Sequence, residues 1–369
     1  MSKKIAILGG GNGGQAFAAY FKSRGYDVAL FDFFPETVEA INAKGSIELT
    51  GARQIRVDFA QADTDMGAVV EGAALIVVIN PSTHHRKLAA ELAKHLQEEQ
   101  IIFINPGATF GSFAFKKALE DHGYTKDVTI AESNVLLFAC RLKETGKVFV
   151  GAKKDRILVS AFPASRLDRV KEILKEAIPE TEFVGNVLAT AIDNTNPLVH
   201  PAPTILSTAW VESGKKFLFM HEAISPAVGE YMHKMDLERL ALGKKLGLVQ
   251  GEDLFDLFQQ YELEYGVTGY KTLSEVFKAC KAYSNIYGPT NIHTTRYIIE
   301  DVGMGLVPLV SLGEQIGVDV SKMKLIVQMC EGVLDRDLSH GDICRNVENL
   351  GIEGMSADQI IHFAQTGEK

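Results

Sequence analysis

A histidine confined between prolines is the first residue of this sequence whose position suggests chemistry. His200 ends the run that begins Asn196, Pro197, and it is followed directly by Pro201 and a predicted helix. An imidazole exchanges protons near neutral pH, and restricted backbone freedom suits a group that must hold one position as an acid or base. The alternative interpretation is a hydrogen-bonded histidine that closes a loop.

A second polar cluster opens another predicted helix further along the chain. Arg296 and Glu300 are four residues apart, a spacing that allows a surface ion pair worth only about a few tenths of a kcal/mol. Asp301 would lie roughly 140° around the helix from Arg296. Its carboxylate is therefore available to a different partner, and His200 is the candidate.

Glycines dominate residues 9–14, between a short apolar run and the start of a helical pattern. Gly9, Gly11 and Gly14 fit G-x-G-x-x-G, in which the glycines allow a tight turn, a close approach to pyrophosphate and tight packing of helix on strand. Together with Asn12, this segment would direct the free N–H groups of a helix start at the phosphates of a dinucleotide.

The acid expected after such a turn is Asp32, at the end of a second apolar run. Its carboxylate would accept hydrogen bonds from the adenosine ribose of NAD and repel the 2′-phosphate of NADP. The nearest downstream cation is Lys44. We therefore predict NAD as the cofactor, with NADP less favoured. A solvated acid at a strand end is the alternative.

The scaffold for these groups follows from the pattern of the first half of the chain. Through about residue 185, apolar β-rich runs alternate with helical patterns, as in a doubly wound parallel sheet. Pro81, Pro106 and Gly107 follow two of the predicted strands, at the ends where such a sheet forms its ligand crevice. We predict that they lie beside the nicotinamide, and ordinary loop chemistry is the alternative.

Beyond Asn186 helical periodicity replaces this alternation. We therefore predict an N-terminal Rossmann-type domain over residues 1–187 and an all-helical domain over residues 188–369. The predicted helical segments of the second domain are 203–213, 225–247, 252–264, 271–283, 296–317, 321–336, 341–349 and 356–366.

Composition limits the partners of this chain. A net charge of −9 over 369 residues argues against nucleic acid, and no apolar run approaches the ~18 residues of a membrane span. The four cysteines form no CxxC pair, so we predict neither a metal site nor disulfides. The first strand begins too close to residue 1 to leave room for a signal peptide, so a cytoplasmic location is expected.

The motifs together resemble those of the opine dehydrogenases of the octopine/nopaline type. The resemblance is carried by Gly9–Gly14, Asn196–Pro201 and Arg296–Asp301, and it extends over almost the whole chain, including Asn105–Thr109. Such enzymes are oxidoreductases that use NADH to join a keto acid to an amino acid by reductive amination. The resemblance implies a helical domain of the 6-phosphogluconate-dehydrogenase-like kind, and it allows a homodimer.

The resemblance also implies roles for individual residues. His200 would be the acid/base at the keto-acid oxygen or the imine, and Asp301 would orient it. Arg296 would bind a substrate carboxylate, bidentately as guanidinium geometry favours. The other implied substrate contacts are Tyr297, Cys140 and Asn196. Residues 220–224 depart from the family pattern. The resemblance therefore does not indicate which side chain the amino-acid substrate carries.

Two other functions stay open at this point. A glycerol-3-phosphate, ketopantoate or β-hydroxyacid dehydrogenase of the same superfamily would place a catalytic lysine early in the helical domain. This chain has His200 there, with Lys215 and Lys216 only later. A non-catalytic dinucleotide-binding sensor would bind NADH without turnover.

Overall fold

The computed structural model describes residues 4–369, which form two compact units. One unit runs to Thr190 and also contains Phe363–Glu368, and the other comprises Ala191–His362 and Lys369. The fold class is the predicted one, a Rossmann-type α/β unit followed by a helical unit. The prediction of one boundary, between residues 187 and 188, did not include the return of the C-terminal residues to the first unit.

An aromatic cluster explains this return. The ring of Phe363 lies 5.1 Å from the ring of Phe113 and 5.0 Å from that of Phe162, both in the first unit. All three side chains are buried. Burying a phenylalanine side chain contributes about 1.5–3 kcal/mol, so this contact favours docking of the segment.

The first unit contains two sheets and most of their connecting helices. Its strands are β1 (Lys4–Leu8), β2 (Asp27–Phe31), β3 (Ser46–Gly51), β4 (Ile55–Asp58), β5 (Ala62–Asp63), β6 (Leu75–Val78), β7 (Ile101–Ile104), β8 (Thr129–Ser133), β9 (Phe138–Glu144), β10 (Lys147–Lys153), β11 (Ile157–Phe162) and β12 (Thr181–Phe183). Its helices are α1 (Asn12–Ser23), α2 (Pro35–Lys44), α3 (Met66–Val70), α4 (His85–Leu92), α5 (Gly111–Asp121) and α6 (Leu167–Ala177), and α7 (Val187–Asp193) leads into the second unit.

The eight-stranded sheet has the order β12-β11-β8-β7-β6-β1-β2-β5. Its central strands are parallel, and β6 and β7 are buried along their whole length, as expected for strands covered on both faces. The chain moves outward from β1 to β2 on one side and from β6 to β8 on the other. The strand order therefore reverses between β1 and β6, and the carboxyl ends of these two strands border the crevice in which such sheets bind ligands.

The four-stranded sheet, β4-β3-β10-β9, is an element that the sequence analysis did not recognise. Helix α1 shares one hydrophobic core with residues of both sheets. The ring of Phe17 on α1, for example, lies 5.1 Å from that of Phe138 on β9. The second sheet therefore covers α1, the helix that follows the glycine-rich turn.

Helices form the second unit. They are α8 (Asn196–Val199), α9 (Pro201–Leu206), α10 (Thr208–Glu212), α11 (Pro226–Lys245), α12 (Leu257–Tyr265), α13 (Leu273–Ala279), α14 (Arg296–Ile299), α15 (Val307–Ile316), α16 (Ser321–Leu334) and α17 (Ala357–Thr366), the last of which ends in the first unit. Along residues 4–369, no helix is both long enough and apolar enough to cross a membrane.

Several of the predicted helices differ from the observed ones. Residues 203–213 divide at Ser207 into α9 and α10, and the predicted helix 252–264 begins only at Leu257. Residues 296–317 are interrupted by a π-helical turn, Val302–Leu306, in which two glycines pack closely against other segments. Residues 341–349 form turns instead, because Asn349 donates its side-chain N–H groups to the carbonyls of Gly341 (2.8 Å) and Cys344 (3.0 Å). Asparagine side chains compete in this way with helical hydrogen bonding.

Candidate functional site

The glycine-rich turn follows β1 and is shaped by close contacts. Gly9 has φ +116°, which glycine adopts readily, and a Cβ there would lie 2.6 Å from Asn80 Oδ1. A Cβ on Gly14 would lie 1.7 Å from the Gly9 carbonyl oxygen, so only glycine lets α1 start this close to the turn. Gly11 differs, because nothing lies within 4 Å of its Cβ position. The backbone around Gly11 is thus open to a ligand at the start of α1.

Two side chains of α1 hold the turn in place. Gln15, which is buried, donates to the Gly10 carbonyl (2.7 Å) and accepts from the Gly146 N–H (2.8 Å). Asn12 Oδ1 accepts a hydrogen bond from the N–H of Leu142 on β9 (2.9 Å). The side chain of Asn12 therefore binds the second sheet. What Asn12 can offer a cofactor is its backbone, at the start of α1. Gln15 was not predicted from the sequence. The one indication was a polar amide at a position followed by apolar residues of the same helix.

Asp32 lies at the mouth of the same turn. Its Oδ2 accepts from the Gly10 N–H (2.7 Å), and its Oδ1 accepts from the Phe34 N–H (3.0 Å). Both oxygens are thereby oriented and retain further lone pairs for hydroxyl donors. Carboxylate oxygens held in this way can accept hydrogen bonds from ribose hydroxyls.

The structure offers a further test of whether these residues fit a nicotinamide dinucleotide. Asn80, at the carboxyl end of β6, has a buried Oδ1 without a hydrogen-bond partner beside the Gly9 turn. A buried acceptor without a partner is costly unless a ligand or water supplies a donor. The open Gly11 backbone, the oriented Asp32 carboxylate and this acceptor all lie at the carboxyl ends of neighbouring strands, so the residues fit the cofactor.

The other predicted cofactor contacts lie on the same edge of the sheet. Pro81 follows Asn80, and Pro106 and Gly107 follow β7. The Gly107 N–H donates to the Ser133 carbonyl (2.9 Å), and a Cβ at Gly107 would lie 2.7 Å from the Glu132 side chain. The loop after β7 is therefore held against the end of β8.

Cys140 lies elsewhere in this unit, on β9 of the smaller sheet. It is half-buried, and burial raises the pKa of its thiol. The thiol is therefore neutral near pH 7 and is suited to contact rather than to nucleophilic attack.

In the second unit, the structure places His200 beside Asp301. His200 lies between α8 and α9, and its Nδ1 is 2.9 Å from Asp301 Oδ2. Asp301 follows α14 and precedes the π-helical turn. Burial raises the pKa of the Asp301 carboxyl, and the hydrogen bond to His200 opposes that rise. With Asp301 ionised, Nδ1 carries the proton that it donates, which leaves Nε2 as the exchangeable position.

Gly305 explains why these distant segments meet. A Cβ at Gly305 would lie 2.4 Å from the ring of Pro197, which belongs to α8. The absence of a side chain therefore lets the turn that follows Asp301 pack directly against the segment that carries His200.

Aromatic rings surround the imidazole. Tyr297 stacks on His200 with ring centroids 4.2 Å apart and an interplanar angle of 19°. Phe219, which is buried, packs against both, 4.8 Å from Tyr297 and 6.3 Å from His200. From the sequence, Tyr297 was predicted only as a substrate contact, and Phe219 was not predicted.

The remaining predicted contacts of this unit are exposed. Arg296 Nε donates to Glu300 Oε2 (2.6 Å), so the ion pair considered from the sequence is present. Nη2 of Arg296 pairs with the same carboxylate oxygen, but the Arg296 side chain is 67% exposed, so part of the guanidinium lies at the surface. Asn196 is exposed at the start of α8. Over the range 4–369, no group of histidine, cysteine and acidic side chains has the arrangement of a metal site.

Two family models match this chain, one mostly in the second unit and one in the first. Residues 183–334 match the alpha-helical domain of the NAD/NADP octopine/nopaline dehydrogenase family. Residues 4–116 match the N-terminus of NAD-dependent glycerol-3-phosphate dehydrogenases. The glycerol-3-phosphate dehydrogenase match is confined to the first unit. The opine-type match includes His200, Arg296 and Asp301.

Two relatives are similar over nearly the whole chain. An opine dehydrogenase from Arthrobacter sp. (strain 1C) is 35% identical over 96% of this chain and 97% of its own length. The protein ocs of Agrobacterium tumefaciens (strain Ach5) is 28% identical over 97% of this chain and 98% of its own. A solved octopine dehydrogenase with NADH and L-arginine shares the fold, with a TM-score of 0.82, 20% identity and coverage of 99% and 98% of the two chains. The chain therefore belongs to the opine dehydrogenase family, oxidoreductases that act on CH–NH groups with NAD(H).

Proposed function

We propose that His200 and Asp301 are the acid–base centre of this NAD-dependent opine dehydrogenase. The reaction joins an α-keto acid to the amino group of an L-amino acid, loses water to form an imine, and reduces that imine to a secondary amine. The reverse reaction is oxidative. The observation that carries the proposal is the 2.9 Å contact between His200 Nδ1 and Asp301 Oδ2, which leaves Nε2 for the substrate.

His200 has two tasks in this scheme. Protonated at Nε2, it donates to the hydroxyl of the carbinolamine, which leaves as water. Neutral at Nε2, it accepts a proton when the reaction runs in reverse. Proton transfer by a positioned group contributes typically about 10²–10⁴-fold to a rate. The Asp301 carboxylate stabilises the imidazolium and keeps the Nδ1–H tautomer.

Arg296 supplies the cation that the substrate carboxylates need. Because the chain carries a net charge of −9, attraction of anions must come from local groups. The exposed guanidinium of Arg296 is held at one side by Glu300 and can present its remaining N–H groups to a carboxylate. We include Asn196, Cys140 and Tyr297 as substrate contacts in the same proposal.

NADH provides the hydride when it is bound. In the proposal its pyrophosphate meets the backbone at Gly9, Gly11, Asn12 and Gly14, and its adenosine ribose meets Asp32. Pro81, Pro106 and Gly107 border the nicotinamide. The ordered carboxylate of Asp32 supports NAD over NADP, since a 2′-phosphate would be repelled.

The substrate pair is part of the proposal as well. Structures of octopine dehydrogenase, which share this fold, contain L-arginine in one case and pyruvate in another. From these structures we carry over only the chemical classes of the two substrates, a pyruvate-like α-keto acid and an L-amino acid.

The four free cysteines agree with a cytoplasmic location, and a homodimer is the proposed assembly. Cell fractionation and light scattering test these two statements.

The decisive experiment measures NADH oxidation with keto acids crossed against amino acids, with mass detection of products. The keto acids are pyruvate, glyoxylate, oxaloacetate and 2-oxoglutarate. The expected product has the mass of the reduced condensate and is absent with His200→Ala. Equal rates with a keto acid alone, and a hydroxy acid as product, would replace the proposal by a hydroxyacid dehydrogenase. In that case Lys215→Ala rather than His200→Ala would abolish turnover. NADH binding without turnover would favour a sensor.

A further inference from the structure

The hydrogen bond to Asp301 fixes the imidazole of His200 incompletely. A single contact at Nδ1 sets one atom of the ring but allows the ring plane to tilt about the line joining Nδ1 to Oδ2. A tilt of the plane changes the direction of the Nε2 lone pair. Proton transfer depends on that direction, because the donor and acceptor must be aligned.

The stacked ring of Tyr297 removes this freedom. Its plane is within 19° of the imidazole plane at a centroid distance of 4.2 Å, so tilting His200 would drive the two rings into each other. Phe219 has no exposed surface and contacts both rings, which limits the movement of Tyr297 as well. The imidazole is thus held by a hydrogen bond in its plane and a ring against its face.

Local structure holds Tyr297 in turn. Thr295 begins α14, and its hydroxyl accepts a hydrogen bond from the Tyr297 N–H (3.3 Å). Arg296 and Tyr297 are consecutive residues of this one-turn helix. The same short element therefore places the proposed carboxylate ligand and the ring that covers His200.

We propose that Tyr297 is a positioning residue that sets the plane of His200 and stabilises its protonated form through the face of its ring. This inference rests on the proposed function of His200. The face of an aromatic ring attracts a cation, and an imidazolium stacked on it is favoured over the neutral imidazole. Asp301 contacts His200, and Arg296 and Glu300 act electrostatically on Asp301; replacing Tyr297 removes none of these charges.

The test replaces Tyr297 by leucine and by phenylalanine. Leucine keeps apolar cover but removes the π face, so we expect the His200 ring protons to titrate at a lower pH than in the wild-type protein. A misaligned Nε2 should lower kcat by roughly 10- to 100-fold. Loss of the substrate contact proposed for Tyr297 would be measured separately, as a raised KM. Tyr297→Phe keeps the ring and should recover most of the rate and the pKa. NMR titration of the His200 ring protons and steady-state kinetics measure these quantities.

Tyr270→Leu is the matched control, because Tyr270 is exposed in the same unit, and it should alter neither quantity. Thermal unfolding and NADH affinity check that each variant folds, and Tyr297→Met replaces the leucine variant if that one unfolds. An unchanged His200 pKa and kcat in Tyr297→Leu would overturn the inference. So would a loss of kcat in Tyr297→Phe as large as that in Tyr297→Leu, which would assign the effect to the hydroxyl instead of the ring. The titration needs no substrate, so it separates this inference from a failure to form an opine.

Discussion

At the scale of single residues, Asp301 combines a stability cost with a proposed function. Burial raises the pKa of its carboxyl above the unfolded value, so the protonated form favours the folded state. The stabilisation is fully present below the unfolded pKa of about 3.9 and is lost as pH rises through the raised folded value. At neutral pH the ionised group therefore lowers the stability of the fold.

The variant Asp301→Asn should separate these two effects. The amide removes the buried charge, so we expect a higher Tm than wild type at pH 7 and a smaller difference near pH 4. The amide cannot stabilise the imidazolium, so kcat should fall by about 10²- to 10⁴-fold. Differential scanning calorimetry and steady-state kinetics measure the two effects. A lower Tm together with full activity would contradict both assignments.

At the scale of elements, the π-helical turn Val302–Leu306 joins the two polar motifs. Such turns occur often at functional sites, and this one follows Asp301 directly. Its glycines pack against separate segments: Gly303 lies close to the Ile343 carbonyl, and Gly305 lies against Pro197. The contact between Gly305 and Pro197 links the segment of Asp301 to that of His200.

Gly305→Ala should disturb this link. The added methyl group would lie 2.4 Å from the Pro197 ring, so one segment must move. We expect a loss of about 1–3 kcal/mol in the free energy of unfolding, as for other overpacked positions. A shift of Asp301 relative to His200 by about 1 Å should cost up to roughly 10²-fold in kcat. Urea unfolding and kinetics provide the measurements.

The matched control for that variant is Gly332→Ala. Gly332 lies within α16, is exposed, and has nothing within 4 Å of its Cβ position. Alanine is favoured over glycine in a helix by about 0.5–1 kcal/mol, so this variant should be more stable and fully active. If Gly305→Ala behaved like Gly332→Ala, the proposed link between the motifs would be wrong.

At the scale of the whole molecule, cofactor choice should appear as a difference in thermal stability. A ligand at 100 times its Kd stabilises the folded state by about 2.7 kcal/mol. We expect NADH to raise Tm more than NADPH at equal concentration, because the Asp32 carboxylate repels a 2′-phosphate. Differential scanning fluorimetry with both cofactors tests this.

Asp32→Asn is the informative variant for cofactor choice. Its Oδ1 can still accept a hydrogen bond from one of the backbone N–H groups that Asp32 contacts, so the turn should persist. Without the charge, the stabilisation by NADH should fall and the difference between NADH and NADPH should narrow. Greater stabilisation of the wild-type protein by NADPH would show that Asp32 does not select the cofactor.

The amino-acid sequence by itself determined the features that depend on neighbouring residues. The apolar runs of β6 and β7 predicted buried parallel strands, because a strand covered on both faces needs apolar residues at successive positions. The spacing of Gly9, Gly11 and Gly14 predicted the turn, because its geometry arises within six residues. The motifs around His200 and Arg296 predicted the family, because each motif consists of neighbouring residues.

Only the tertiary structure decided the features that depend on contacts between distant segments. Three contacts join residues that are far apart in sequence. Tyr297 stacks on His200, Gln15 accepts a hydrogen bond from the Gly146 N–H, and Phe363 packs against Phe113. No local periodicity encodes such pairs. The break in the helix after Ile299 has the same origin. Residues 296–317 have an ordinary helical pattern, and the π turn forms where Gly305 packs against Pro197.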